Sequence, residues 1–123
     1  MHPIAYPMRK IKWFKIADSV ADIHFQTNNL AIAEADGKKI TLALLQNKIL
    51  ACAHKCPHAG GILADGFIDG SGNIVCPLHR YRFNPENGRN VTGEGYYLKT
   101  YPVETREDGV YIGFEEKGLL SWL

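Results

Sequence analysis

Two short segments constrain this chain more than anything else in its 123 residues: CPH at 56–58 and CPLH at 76–79. Each sets a cysteine two or three residues ahead of a histidine, with proline directly after the cysteine, and seventeen residues separate His58 from Cys76. Residues that far apart meet only if the chain between them doubles back. That chain contains GFIDGSGNIVC, which reads as a hairpin of two short apolar runs around a glycine-rich loop. Its ends would bring Cys56, His58, Cys76 and His79 together. Two thiolates and two imidazoles suit zinc or an iron–sulfur centre.

The surrounding sequence is a succession of strand patterns. KIKWFKIA is an expected first strand. LAIAEADGKKITLALL is an expected hairpin, because Asp36-Gly37 supplies a two-residue turn needing positive φ. Pairing around that turn sets Glu34 opposite Lys39, an expected cross-strand ion pair. NKILACA continues the sheet, NPENGRN is a turn cluster, and YYLKTYPVETREDGVYIGFE gives two more strands around Asp108-Gly109. SVADIHF offers at most one or two helical turns. Many short strands with frequent Gly, Pro and Asn predict an all-β chain, an antiparallel sandwich or barrel. The metal candidates fall on a small lobe, residues 54–85, within a single domain spanning 1–123.

Length and charge narrow the function. A chain of 123 residues buries roughly two-thirds of its extended surface and needs no disulfide stapling. Fourteen basic against thirteen acidic residues give a net charge of +1, so nothing marks the chain for nucleic acid or an anionic membrane. No apolar run reaches a membrane span, and MHPIAYPMRKIK lacks the apolar middle of a signal peptide. Three cysteines fit a reducing compartment better than a secreted disulfide framework. The expected location is cytoplasmic.

Ligand order separates the metal readings. A two-Cys, two-His zinc finger presents its cysteines first and its histidines later. Here each knuckle supplies one of each, so each loop can straddle a dinuclear site, giving sulfur to one iron and nitrogen to the other. With CPHAGGILADG followed by CPLHRYRFNPENG, the sequence resembles the Rieske iron–sulfur family in its stand-alone ferredoxin form. Gly60, Gly66, Phe83 and Gly88 also sit where that family places such residues. The resemblance implies one [2Fe–2S] cluster per chain, with Cys56 and Cys76 on the buried iron and His58 and His79 on the outer iron. It implies an electron carrier and not an enzyme, taking one electron from a flavin-dependent reductase and giving it to an oxygenase or similar acceptor.

The resemblance also sorts subclasses. High-potential respiratory members carry an extra bridged cysteine in each knuckle, where this chain has Gly61 and Leu78. They also place Ser and Tyr hydroxyl donors where this chain has Tyr81 and Phe83. A potential near the bottom of the Rieske range, roughly −150 mV, is expected. Gly commonly follows the second histidine, whereas this chain has Arg80. Arg80 and Arg82 read as solvated loop charges or as a steering patch for an acidic partner. Pro57, Leu78 and Ile62 are expected as an apolar collar around the histidines.

Other residues read as structural. Cys52 is expected as a buried apolar side chain and His54 as a loop histidine rather than a participant near the cluster. Trp13 and Phe14 lie on opposite sides of a strand, so one should face the core. Tyr96, Tyr97 and Tyr101 suit a β surface, and the segment 118–123 is apolar without a fixed role. Two alternatives remain: a zinc-binding interaction module, and a Rieske-like small subunit of a larger reductase. The oligomeric state is not encoded legibly.

Overall fold

The computed structural model describes residues 10–116, so the apolar segment 118–123 lies outside the described residues. Ten strands follow in order: β1 (Ile11–Ala17), β2 (Leu30–Ala35), β3 (Lys38–Leu45), β4 (Lys48–Ala53), β5 (Phe67–Ile68), β6 (Ile74–Val75), β7 (Arg82–Phe83), β8 (Thr100–Tyr101), β9 (Val103–Arg106) and β10 (Gly109–Glu115). Single 3-10 turns occupy Val20–Asp22 and Leu63–Asp65. The strands form three antiparallel sheets, ordered β1-β10-β9, β2-β3-β4-β8 and β5-β6-β7. No helix among the described residues is long and apolar enough to cross a membrane.

The turns behave as their residues dictate. Asp36 and Gly37 both take positive φ, 51° and 73°, and so do Gln46 and Asn47 at 48° and 65°. Two-residue turns of that hand match strand twist and lock β2, β3 and β4 in register. Glu34 faces Lys39 as the turn requires. The expected ion pair between them is not found among the described residues. Both side chains are exposed, so solvent competes with a contact worth little at a surface.

The central sheet is buried on both faces, and the two sets of buried side chains alternate along its strands. Ala31, Ile40, Leu42, Ile49 and Ala51 pack with Val110 and Ile112 of β10. Leu30, Ala43 and Cys52 point the other way, against Leu63, Ala64, Ile74, Phe83 and Leu98. Cys56 and Cys76 belong to this second cluster, with 3 % and 0 % of their surface exposed. β3 is therefore covered on both sides over Ile40–Ala43, and even Thr41 is fully buried.

Two expectations of core placement fail. Trp13 and Phe14 are both half-buried, and neither joins a buried cluster. Phe14 packs on Phe114 with ring centroids 5.3 Å apart, and the Arg106 guanidinium lies 5.3 Å from the Trp13 ring. β1 pairs only with β10 and sits at a sheet edge, so its aromatic rings cover the sandwich flank.

Close backbone packing joins the lobe to the body. A methyl group at Gly88, whose φ is +78°, would run into the carbonyl oxygen of Leu98, whereas Gly93 at +85° faces open space. Gly88→Ala combines left-handed strain with a backbone clash, and is expected to cost about 3 kcal/mol or more. Gly93→Ala meets the first term alone, about 1 kcal/mol. Thermal or urea unfolding of the two variants should show that ranking.

Candidate metal centre

The two knuckles are built alike. In each, the cysteine N–H donates to the carbonyl five residues on: Cys56 to Gly61 at 2.7 Å and Cys76 to Tyr81 at 2.9 Å. Each bond pinches a six-residue loop at its base and turns its backbone around the cysteine. The first loop leaves β4 and is held by the Lys55–Ile62 bridge, with the Gly60 N–H bonded to the Cys56 carbonyl at 3.0 Å. The second leaves β6 and returns into β7. Pro57 and Pro77 follow the cysteines, where a fixed φ favours the start of a turn.

The hairpin brings the four expected donor residues into one group. The donor atoms of Cys56, His58 and Cys76 all lie within 4.8 Å of one another. Cys56 Sγ is 3.9 Å from His58 Nδ1, and His79 Nδ1 is 2.9 Å from His58 Nε2. The sulfurs are buried, His58 is half-buried and His79 is exposed. Burial, and secondarily the neighbouring Cys56, raise the Cys76 thiol to about 11 against a lowering bond from the Leu78 amide. A metal binding there must displace that proton. Two sulfurs inward and two nitrogens outward form a donor set that fits a cluster with one sulfur-bound and one nitrogen-bound iron.

Gly61 and Leu78 face each other, because a Cβ on Gly61 would lie 3.1 Å from Leu78 Cγ and 3.0 Å from Cys76 Sγ. All three cysteines are free. Cys52 is buried against the lobe as expected, and desolvation pushes its thiol up to about 12. His54 is also outside the donor group. Its carbonyl accepts from the Leu63 amide at 3.1 Å, and its buried Nδ1 has no hydrogen-bond partner. Its side chain is thus more enclosed than a plain loop histidine.

The structure separates the two arginines that the sequence reads together. Arg82 lies under the lobe, with Nη1 2.6 Å from Asp69 Oδ2. Asp69 also accepts from the Ser71 and Asn73 amides, both at 2.9 Å, and so shapes the DGSG loop. Partial burial pushes the Asp69 carboxyl up, but the Asn73, Arg82 and Ser71 bonds together outweigh it and hold the pKa at about 2. Arg82 is therefore neither a free solvated charge nor a steering group. Arg80 is exposed and has no ion-pair partner among the described residues. Its φ is 59°, following 61° at His79.

Several residues around the site carried no sequence signal. Tyr81 lies 4.0 Å from the His58 ring, and Tyr96 lies 5.6 Å from His58 and 5.8 Å from Tyr81. Tyr96 thus belongs to the site and not to a β surface. Thr92 donates to Glu94, Asn90 Nδ2 bonds Glu94 Oε1 at 3.0 Å, and Asn90 Oδ1 accepts from the Glu94 amide at 2.6 Å. This network ties down the loop that carries Tyr96. Gln26 and Asn28 donate to the Ala64 carbonyl at 3.0 and 2.9 Å, anchoring the lobe from another side. The apolar collar is smaller than expected. Pro57 and Leu78 are exposed, but Ile62 packs inward against the core.

Residues 12–102 match the family model described as the Rieske [2Fe-2S] domain. The ferredoxin component of a naphthalene 1,2-dioxygenase system from Pseudomonas aeruginosa is 31 % identical over 102 residues, covering 82 % of this chain and 94 % of that protein. The ferredoxin of carbazole 1,9a-dioxygenase from Nocardioides aromaticivorans IC177 has the same fold, with TM-score 0.70, 18 % identity, and coverage of 82 % and 96 %. A chain in the complex of reduced oxygenase and oxidized ferredoxin in carbazole 1,9a-dioxygenase superposes with TM-score 0.70 at 25 % identity, covering 86 % and 96 %.

Two expected outcomes test the local energetics. Asp69→Asn removes a carboxylate whose folded pKa is depressed. The lost stabilisation is present above pH 4 and fades as pH falls toward 2. The variant should therefore be less stable than wild type by about 2 kcal/mol at pH 7, with the gap closing between pH 4 and 2 in thermal unfolding. Arg80→Gly relieves a left-handed arginine and should retain the fold with unchanged or higher Tm. Arg80→Val, β-branched at the same φ, should lower it.

Proposed function

The chain belongs to the Rieske [2Fe-2S] domain family, and from that we propose that it shuttles single electrons from a flavin-dependent reductase to an oxygenase or similar acceptor. The observation that carries this reading is the convergence of two buried cysteines and two outward histidines on paired loops. Cys56 and Cys76 hold the inner iron, and His58 and His79 hold the outer one. The bound cluster supplies a reversible one-electron couple.

The chain's own residues set how that couple behaves. Two neutral imidazoles in place of two thiolates leave the centre less negative and easier to reduce. The closed knuckles keep the sulfurs from water, while the histidines lie at the edge a partner reaches. Phe83 is fully buried and offers no hydroxyl, and Gly61 with Leu78 offers no disulfide. These two features support a low-potential centre. The naphthalene dioxygenase ferredoxin component and the carbazole dioxygenase ferredoxin complex support a multicomponent oxygenase as the setting. Within that setting the chain acts as one domain that carries electrons and does not itself transform a substrate.

Iron and acid-labile sulfide assays should find a cluster rather than zinc, and a redox titration should place its midpoint near roughly −150 mV. A midpoint above zero would contradict the subclass. His79→Cys and His58→Ala should abolish the native spectrum and electron transfer while far-ultraviolet circular dichroism still reports a β fold. Normal redox activity in either variant would refute the ligand assignment.

A further inference from the structure

We propose that the tip is one-sided: electrons pass at the His79 edge, through a face of Leu78, His79 and Arg80 that fits a redox protein with a carboxylate rim, while Tyr81 and Tyr96 close the His58 side. This deepens the function proposed above and rests on its ligand assignment.

The two histidines are not equivalent in this chain. His58 is half-buried, and three rings surround it: Tyr81 at 4.0 Å, His79 at 4.8 Å and Tyr96 at 5.6 Å. His79 is exposed, and Tyr81 stands off at 6.3 Å. Because electron transfer weakens steeply with separation, a partner approaching over Tyr96 is held a ring's thickness farther from His58. A partner approaching over Leu78, whose side is 44 % exposed, can touch His79 directly.

Charge divides the tip the same way. Arg80 follows His79, is exposed, and has no ion-pair partner among the described residues. It differs from Arg82, which Asp69 already neutralises. On the other side, Glu94 is pinned by Asn90 and Thr92, within electrostatic reach of His58 and Tyr81. An anionic surface is thus drawn to the His79 edge and repelled from the His58 edge, and the preference should fade with salt.

Two measurements on the cluster-loaded protein test this. In the first, dithionite-reduced protein passes one electron to ferricyanide, which becomes ferrocyanide. Rates are compared for wild type, Arg80→Glu and Glu94→Gln after each midpoint is measured. Arg80→Glu should slow the reaction about tenfold at low ionic strength, with the effect lost in high salt. Glu94→Gln should change it less than about twofold, as expected for a charge away from the encounter edge. An equal or larger effect at Glu94 overturns the inference.

The second measurement needs no turnover. Diethyl pyrocarbonate, followed by peptide mass mapping, should label His79 several-fold faster than His58, and Tyr96→Ala should raise the His58 rate. Equal labelling in wild type, or no gain in Tyr96→Ala, overturns the one-sided tip. Wild-type protein without a [2Fe–2S] spectrum would instead sink the underlying function, so the two failures are distinguishable.

Discussion

The bond from each cysteine amide to the carbonyl five residues on is the constraint on which the site depends. It turns CPHAGG and CPLHRY into loops of matching shape despite their different histidine spacing. Inside a knuckle, the first cysteine must face the core while a histidine two or three residues later faces out. Only a tight loop reverses direction that quickly. The second loop meets this demand with His79 and Arg80 both left-handed, a conformation that costs non-glycine residues about 1 kcal/mol each. Strain of that kind, held in place by surrounding structure, is common where function fixes geometry.

The body contributes rigidity from behind. Its central sheet is packed on both faces, and the inner cysteines share a buried cluster with Leu30, Cys52, Leu63 and Phe83. A movement of either sulfur is therefore resisted by core packing and not by the loops alone. Side-chain amides of Gln26 and Asn28, and the Asp69–Arg82 pair, tie the lobe at separate points. A one-electron carrier benefits from such a frame, because ligands that barely move leave little to reorganise when charge changes.

The legible features were local ones. Asp36-Gly37 specified its hairpin, Cys-Pro-x-His spacing specified the knuckles, and alternation in LAIAEA and KKITLALL specified a sheet. Cys52 read correctly as buried because it lies on the same strand face as the lobe-packing residues. Errors arose where a residue's role depends on distant neighbours. Trp13 and Phe14 alternate as a strand should, yet strand position at a sheet edge leaves both half-buried. Arg82 looked like its neighbour Arg80 until the hairpin set it against Asp69, thirteen residues earlier. Tyr96 carried no motif, because its place over His58 comes from a loop held by Asn90 and Glu94.

By itself the sequence determined the donor set, the order in which donors appear, and the strand-and-turn grammar that brings them together. These depend on residue type and short spacing, which chain chemistry fixes before any long-range contact forms. Tertiary structure alone decided which charges are free, which aromatic rings cover the donors, and how unequally the two histidines meet solvent. Those properties belong to surfaces assembled from segments far apart in the chain, and no local pattern encodes them.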